Sequence, residues 1–213
     1  MYFQPQTAIF LKEGEMKNKI AGLFLFALIA GWAEQKSLPP GKTLGLSTAP
    51  ITIEVFSDYE CSHCKQLYEE TLRPLMRDYV SKGKVYFIHR DYPLPQHVNA
   101  RPAACLANAS RQVNKYEEVC AALFRQQAIW SANGNIEAAV ATVLTPVELT
   151  KVRLLAKDPK ITAEMEGDIA LGQKIHVSQT PTMVITHKGR SSPVTGYVNY
   201  SFLRSYLDDL LSK

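Results

Sequence analysis

The two cysteines of Cys61-Ser62-His63-Cys64 are spaced to close a disulfide on themselves and to pass it to thiols from outside. The reactive form is the thiolate, and the residues around the pair favour it. Ile51-Thr52-Ile53-Glu54-Val55-Phe56 is a β-branched and aromatic run that predicts a strand. After Cys61 the apolar residues Leu67, Tyr68, Leu72, Leu75, Met76 and Tyr79 follow helical spacing. Cys61 therefore falls at a helix N-terminus. Unpaired N–H groups and the positive end of the macrodipole stabilise a thiolate there, and a protonated His63 adds positive charge. Cys64, one turn further in, is expected to be buried and less acidic. Structural zinc needs four ligands, and no second close cysteine or Cys/His pair accompanies these two. A purely structural disulfide would need neither His63 between the sulfurs nor a strand end in front of them.

The elements that must position this pair can be read in order. Pro39-Pro40-Gly41 and Ala49-Pro50 mark a linker, with one short strand at 43–47. The strand over 51–56 leads into a helix over 62–81 that Pro74 should kink. A second strand over 85–88, parallel to the first, completes a βαβ unit. From 99 to 177 the pattern is helical, broken at 111–114 and 131–134. Thr145-Pro146-Val147-Glu148 opens one helix with a Thr cap, Pro at the first position and Glu three after the cap. Asp158-Pro159 opens another, with Ile161, Met165, Ile169, Gly172 and Ile175 on its apolar face. A third strand over 182–186, a turn over 188–191 and a fourth strand over 193–198 form a hairpin. A last helix from about 200 carries Phe202, Leu203, Tyr206, Leu207, Leu210 and Leu211 on the covering face.

With 213 residues, 46% hydrophobic and 21% charged, the chain can bury a full core. Its net charge of +4 is spread along the whole length without a basic block, which argues against nucleic-acid binding. Lys17 and Lys19 precede an uncharged run over 20–33 that is shorter than the roughly 18 apolar residues of a spanning helix. Residues 1–33 thus read as an N-terminal extension and signal peptide, with translation starting at Met16 and cleavage after Ala33. An uncleaved membrane anchor is the alternative. Either form exports the domain to a compartment where disulfides persist.

Three blocks carry a resemblance: residues 56–64 around the cysteines, Arg90-Asp91-Tyr92-Pro93-Leu94-Pro95, and Thr180-Pro181-Thr182. In that order they resemble the DsbA-like thiol:disulfide oxidoreductases of the thioredoxin superfamily. The resemblance implies an α/β thioredoxin-like fold with an α-helical insertion: a linker over 34–50, fold parts at 51–98 and 178–213, and the insertion at 99–177. It implies Cys61 and Cys64 as the redox-active disulfide, with His63 supporting the Cys61 thiolate. Pro181 would be a cis proline beside the pair, and Thr180 would offer backbone hydrogen bonds to an extended substrate. It further implies a periplasmic or otherwise extracytoplasmic oxidase, without cofactor or metal and monomeric. Such an oxidase acts on unfolded or reduced exported proteins and is reoxidised by a quinone-linked membrane partner of the DsbB or VKOR kind.

Thioredoxin-like proteins often carry a buried acid six positions before the first cysteine, where this chain has Val55; Glu54 faces the other way by strand alternation. Glu60 beside Cys61 should raise the thiol pKa. Cys105 and Cys120 flank the break near 112 almost symmetrically, and they are either a structural disulfide worth about 3 kcal/mol or two free buried thiols. His89, His97, His176 and His187 read as surface or loop residues. Competing functions are an exported reductase or isomerase, and a non-enzymatic module that binds a metal or a peptide.

Overall fold

A computed structural model describes residues 41–213. The expected signal peptide and the first part of the linker lie outside them. Strand β2 (Ile51–Ser57) runs through the middle of a five-stranded sheet ordered β1-β3-β2-β4-β5. Its companions are β1 (Thr43–Leu44), β3 (Val85–Asp91), β4 (Thr182–His187) and β5 (Arg190–Thr195). β2 and β3 are parallel, from Ile51 opposite Val85 to Ser57 opposite Asp91, and the other pairs are antiparallel. The expected βαβ unit and C-terminal hairpin are therefore both present.

Strand alternation divides the core. Ile51, Ile53 and Val55 pack with Val85, Phe87, Met183 and Ile185 against the active-site helix and the last helix, whereas Phe56 and Val184 turn to the opposite face. The active-site helix is α1 (Ser62–Leu67), a π turn (Tyr68–Leu72), α2 (Arg73–Leu75) and a second π turn (Met76–Val80). The kink expected at Pro74 takes this form. Proline supplies no N–H to the carbonyl four residues back, and the wider turns on either side absorb the altered spacing.

The insertion comprises α3 (Ala100–Ser110), a 3₁₀ turn (Arg111–Val113), α4 (Tyr116–Arg125), α5 (Gln127–Asn133), α6 (Ile136–Ala141), α7 (Pro146–Leu155) and α8 (Pro159–Lys174). Left-handed residues at Asn114 and Gly134 make the two expected breaks. Thr145 and Glu148 close a full capping box on α7, and the Asp158 carboxylate accepts from the Lys160 N–H to cap α8. In the C-terminal hairpin His187 pairs with Arg190, so Lys188 and Gly189 form a two-residue turn with φ of 49° and 74°. That is the conformation a right-twisted hairpin favours.

Four expectations need correction. β3 continues past Ile88 to Asp91, because its polar end is paired with buried charges. β5 begins at Arg190 instead of Pro193, since the tight turn lets pairing start at once; Pro193 lies on this edge strand. Ile175 is exposed because α8 has already ended at Lys174, and Phe202 of α9 (Tyr200–Ser212) faces solvent while Leu203 and Leu207 bury.

Gly172 is where α8 meets the sheet. A Cβ there would lie 2.5 Å from Cε2 of Tyr92 and 3.2 Å from Cδ1 of Phe56, and the Tyr92 hydroxyl is tied to the Val177 carbonyl at 2.8 Å. Gly172→Ala is expected to cost about 1–3 kcal/mol in urea unfolding. An unchanged midpoint would show that Tyr92 swings clear freely.

Candidate active site

Cys61 is the N-cap residue of α1, with extended backbone (φ −79°, ψ 121°) and no side-chain cap. The free N–H groups of the first turn therefore have no competing acceptor, and those of His63 and Cys64 stabilise the Cys61 sulfur. The carbonyl of Cys61 accepts the Lys65 N–H at 3.1 Å, and its thiol donates to the Thr180 carbonyl at 3.4 Å. The Thr180–Pro181 peptide bond is cis.

The two sulfurs are electrostatically unequal. A hydrogen bond from the Cys64 thiol is the largest influence on Cys61. Burial opposes it, and the Thr180 side chain and the two N–H groups assist, so the Cys61 pKa falls from 9.0 to about 5. Burial drives the Cys64 thiol well above its ordinary range, and the nearby Cys61 sulfur reinforces this. Cys61 is 7% exposed and Cys64 1%. Attack from outside is thus directed at Cys61.

The turn before Cys61 is held by its own carboxylates and by groups from the 94–99 loop and α5. Asp58, 1% exposed, accepts from the Glu60 N–H at 2.7 Å, the Leu94 N–H at 2.7 Å and the His97 Nδ1–H at 2.7 Å. The Glu60 carboxylate takes the Asn99 N–H at 2.8 Å and the Ser131 hydroxyl at 3.0 Å. Gln127 on α5 donates to the carbonyls of Tyr59 and Cys61 at 2.7 and 2.9 Å. The helical insertion thereby fixes the backbone from which Cys61 projects. Glu60, expected to raise the Cys61 pKa, spends its charge on the insertion and is not among the main influences on the sulfur.

Cys61, Cys64 and Thr180 lie together, and Pro181 follows Thr180 across the cis bond. The His63 side chain is exposed, and it is the His63 backbone N–H that supports the thiolate. Cys105 and Cys120 are free thiols. Cys105 faces Thr162 and Arg101, whereas Cys120 lies 3.0 Å from the Tyr59 hydroxyl. His97, read as a loop residue, is the partner of Asp58. His89 is buried, stacked on Tyr59 with ring centroids 5.5 Å apart. The buried acid replaced by Val55 has no substitute in Glu54, which pairs with Arg90 on the other face.

A sequence family described as Thioredoxin matches residues 37–209. The chain belongs to the thioredoxin family. Disulfide bond formation protein D of Bacillus subtilis is 25% identical over 162 residues, covering 72% of this chain and 71% of that protein. The fold is that of Wolbachia pipientis alpha-DsbA1 (22% identity, TM-score 0.68, covering 82% of this chain and 92% of that one). It is likewise that of BdbD of B. subtilis (22%, TM-score 0.64, 81% and 93%). The likeness to these structures is one of fold.

The unequal thiols of this thioredoxin-family site give a pH signature. The Cys61 pKa is depressed in the folded, reduced chain, so its stabilisation is complete above about pH 9 and is lost as pH falls through about 5. Cys64 has the opposite sign: unfolding lets it ionise near 9.0, which erodes the reduced fold at higher pH. The urea midpoint of the reduced protein, relative to the oxidised, is expected to rise between pH 5 and 9 and to decline beyond. A flat difference would remove the thiolate from Cys61.

Proposed function

We propose that this chain is an exported protein-disulfide oxidase that works through Cys61 and Cys64. A substrate thiolate attacks the Cys61 sulfur of the Cys61–Cys64 disulfide and expels Cys64. The substrate's second thiolate then attacks its own sulfur in the mixed disulfide and expels Cys61. The substrate dithiol is oxidised and the cysteine pair is reduced. The observation that carries this reading is the place of Cys61 at the uncapped N-terminus of α1, where the first-turn N–H groups and the Cys64 thiol stabilise its thiolate. A thiol that leaves as a stable anion makes the last step favourable, and a stabilised reduced form makes the pair a strong oxidant.

The substrates that fit are reduced or unfolded exported proteins, bound as extended segments along the backbone of Thr180 and Pro181. Reoxidation falls to a quinone-linked membrane partner of the DsbB or VKOR kind. The chain acts as a monomer in an extracytoplasmic compartment, reached through the N-terminal segment.

The deciding experiment equilibrates the protein, with Cys105 and Cys120 changed to Ala, against glutathione buffers. A potential nearer about −120 mV than about −270 mV is expected. The thioredoxin-like value would overturn the oxidase reading in favour of a reductase.

A further inference from the structure

The sulfur that must leave in the first exchange step is Cys64, and its surroundings oppose the charge it then acquires. It is 1% exposed, and the acid often found below this position in the superfamily is here Val55, with Glu54 turned to Arg90. Among the described residues, one group outside the cysteine pair and Thr180 is hydrogen-bonded to it. The backbone N–H of Asp58 points at the Cys64 sulfur across 3.4 Å. The same residue is clamped by its side chain. Oδ1 accepts the Glu60 N–H, while Oδ2 accepts the Leu94 N–H and the His97 Nδ1–H, from a loop far along the chain. A carboxylate this deeply buried is costly, and burial indeed raises its pKa against the pull of those three bonds. A turn that needed only to be closed would be served by the Glu60 bond, as in an ordinary Asx turn.

We propose that Asp58 and His97 are positioning residues for the leaving group: together they fix the Asp58 N–H as a preformed donor to the nascent Cys64 thiolate. The inference rests on the exchange chemistry proposed above. In the step concerned, an incoming thiolate forms a bond to the Cys61 sulfur, the Cys61–Cys64 bond breaks, and its electron pair goes to Cys64. Charge thus develops where the N–H is already aimed, which is how fixed donors lower barriers in other sites. No proton needs to reach Cys64 in that step, so a missing buried acid does not prevent it.

The test measures reduction of the oxidised protein by glutathione in Asp58→Ala and His97→Ala variants, with Cys105 and Cys120 replaced. Reduction is expected to slow about tenfold in Asp58→Ala and about threefold in His97→Ala. A second measurement starts from a Cys64→Ser protein carrying glutathione on Cys61, where Cys64 is not the leaving group. Its reduction should be unchanged by either substitution. Slowing in both assays, or in neither, overturns the role. If Asp58→Ala does not fold, His97→Ala, which removes one bond at a half-buried site, decides alone. A wild-type protein that forms no Cys61–Cys64 disulfide would overturn the proposed function and this inference together. A disulfide that forms but is reduced at the wild-type rate in the variants overturns only the inference.

Discussion

Cys61→Ser is expected to abolish disulfide exchange, whereas Cys64→Ser is expected to stall at a mixed disulfide with a disulfide-bearing substrate. The difference follows from which sulfur is reachable: Cys61 is 7% exposed and faces the Thr180–Pro181 loop, and Cys64 is 1% exposed beneath it. Without Cys61 no external thiolate finds a partner. Without Cys64 there is no internal disulfide to donate; the Cys61 thiolate can still attack a disulfide of an oxidised substrate, and with no Cys64 thiolate to attack Cys61 and release the substrate, that adduct should persist on non-reducing gels. The Cys64 thiol is also the largest cause of the low Cys61 pKa. Serine keeps a donor at that position and alanine does not, so the Cys61 pKa should rise further in Cys64→Ala than in Cys64→Ser. Near neutral pH this means alkylation of Cys61 slower by about tenfold in the alanine variant, following the thiolate fraction. Equal rates in the two variants would shift the stabilisation to the helix N–H groups alone, and free turnover by Cys64→Ser would sink the assignment of roles.

What the sequence made legible was local. The strand end, the helix spacing after Cys61 and the Thr145 capping box each rest on neighbours within one turn, and each is where the pattern put it. The pairing of β2 with β3 followed from the βαβ rule. What stayed hidden depends on contacts between side chains distant in sequence. Asp58 and His97 are 39 positions apart, and Gln127 reaches the carbonyl of a residue 66 positions away. No periodicity announces such bonds, because one polar residue at the right depth suffices. Cys105 and Cys120 left two alternatives open that spacing could not decide; both are free thiols, Cys105 beside Thr162 and Cys120 beside the Tyr59 hydroxyl. Pattern fixes which face of a helix is buried, and it says little about which partner meets that face.

Lys42→Met is expected to destabilise the fold by about 3–5 kcal/mol, the usual loss when one partner of a buried charge cluster is removed. In the sequence Lys42 belongs to a linker, yet it is 2% exposed and donates to both Asp91 and Asp168. Burial by itself would pull its pKa down, and the two carboxylates reverse this, so it stays charged and titrates above an ordinary lysine. The cluster ties three layers together. Asp91 ends β3 and takes the Asn108 amide of α3 at 2.7 Å. Asp168 of α8 takes Arg90 at 3.0 Å and the Asp91 N–H at 3.1 Å. Methionine fills a comparable volume but leaves two carboxylates facing each other with one cation fewer. Burial pushes the Asp91 pKa up and the Lys42 charge helps to hold it below its usual value, so once acid protonates Asp91 the contribution of Lys42, and with it the loss, should shrink. Arg101→Ala provides the contrast, since its pair with Glu166 lies at the surface and should be worth under about 1 kcal/mol. Urea unfolding of both variants at neutral and acid pH separates the cases. A Lys42 effect as small as that of Arg101 would mean that water reaches the cluster, and the attachment of the insertion to the sheet would then rest on apolar packing alone.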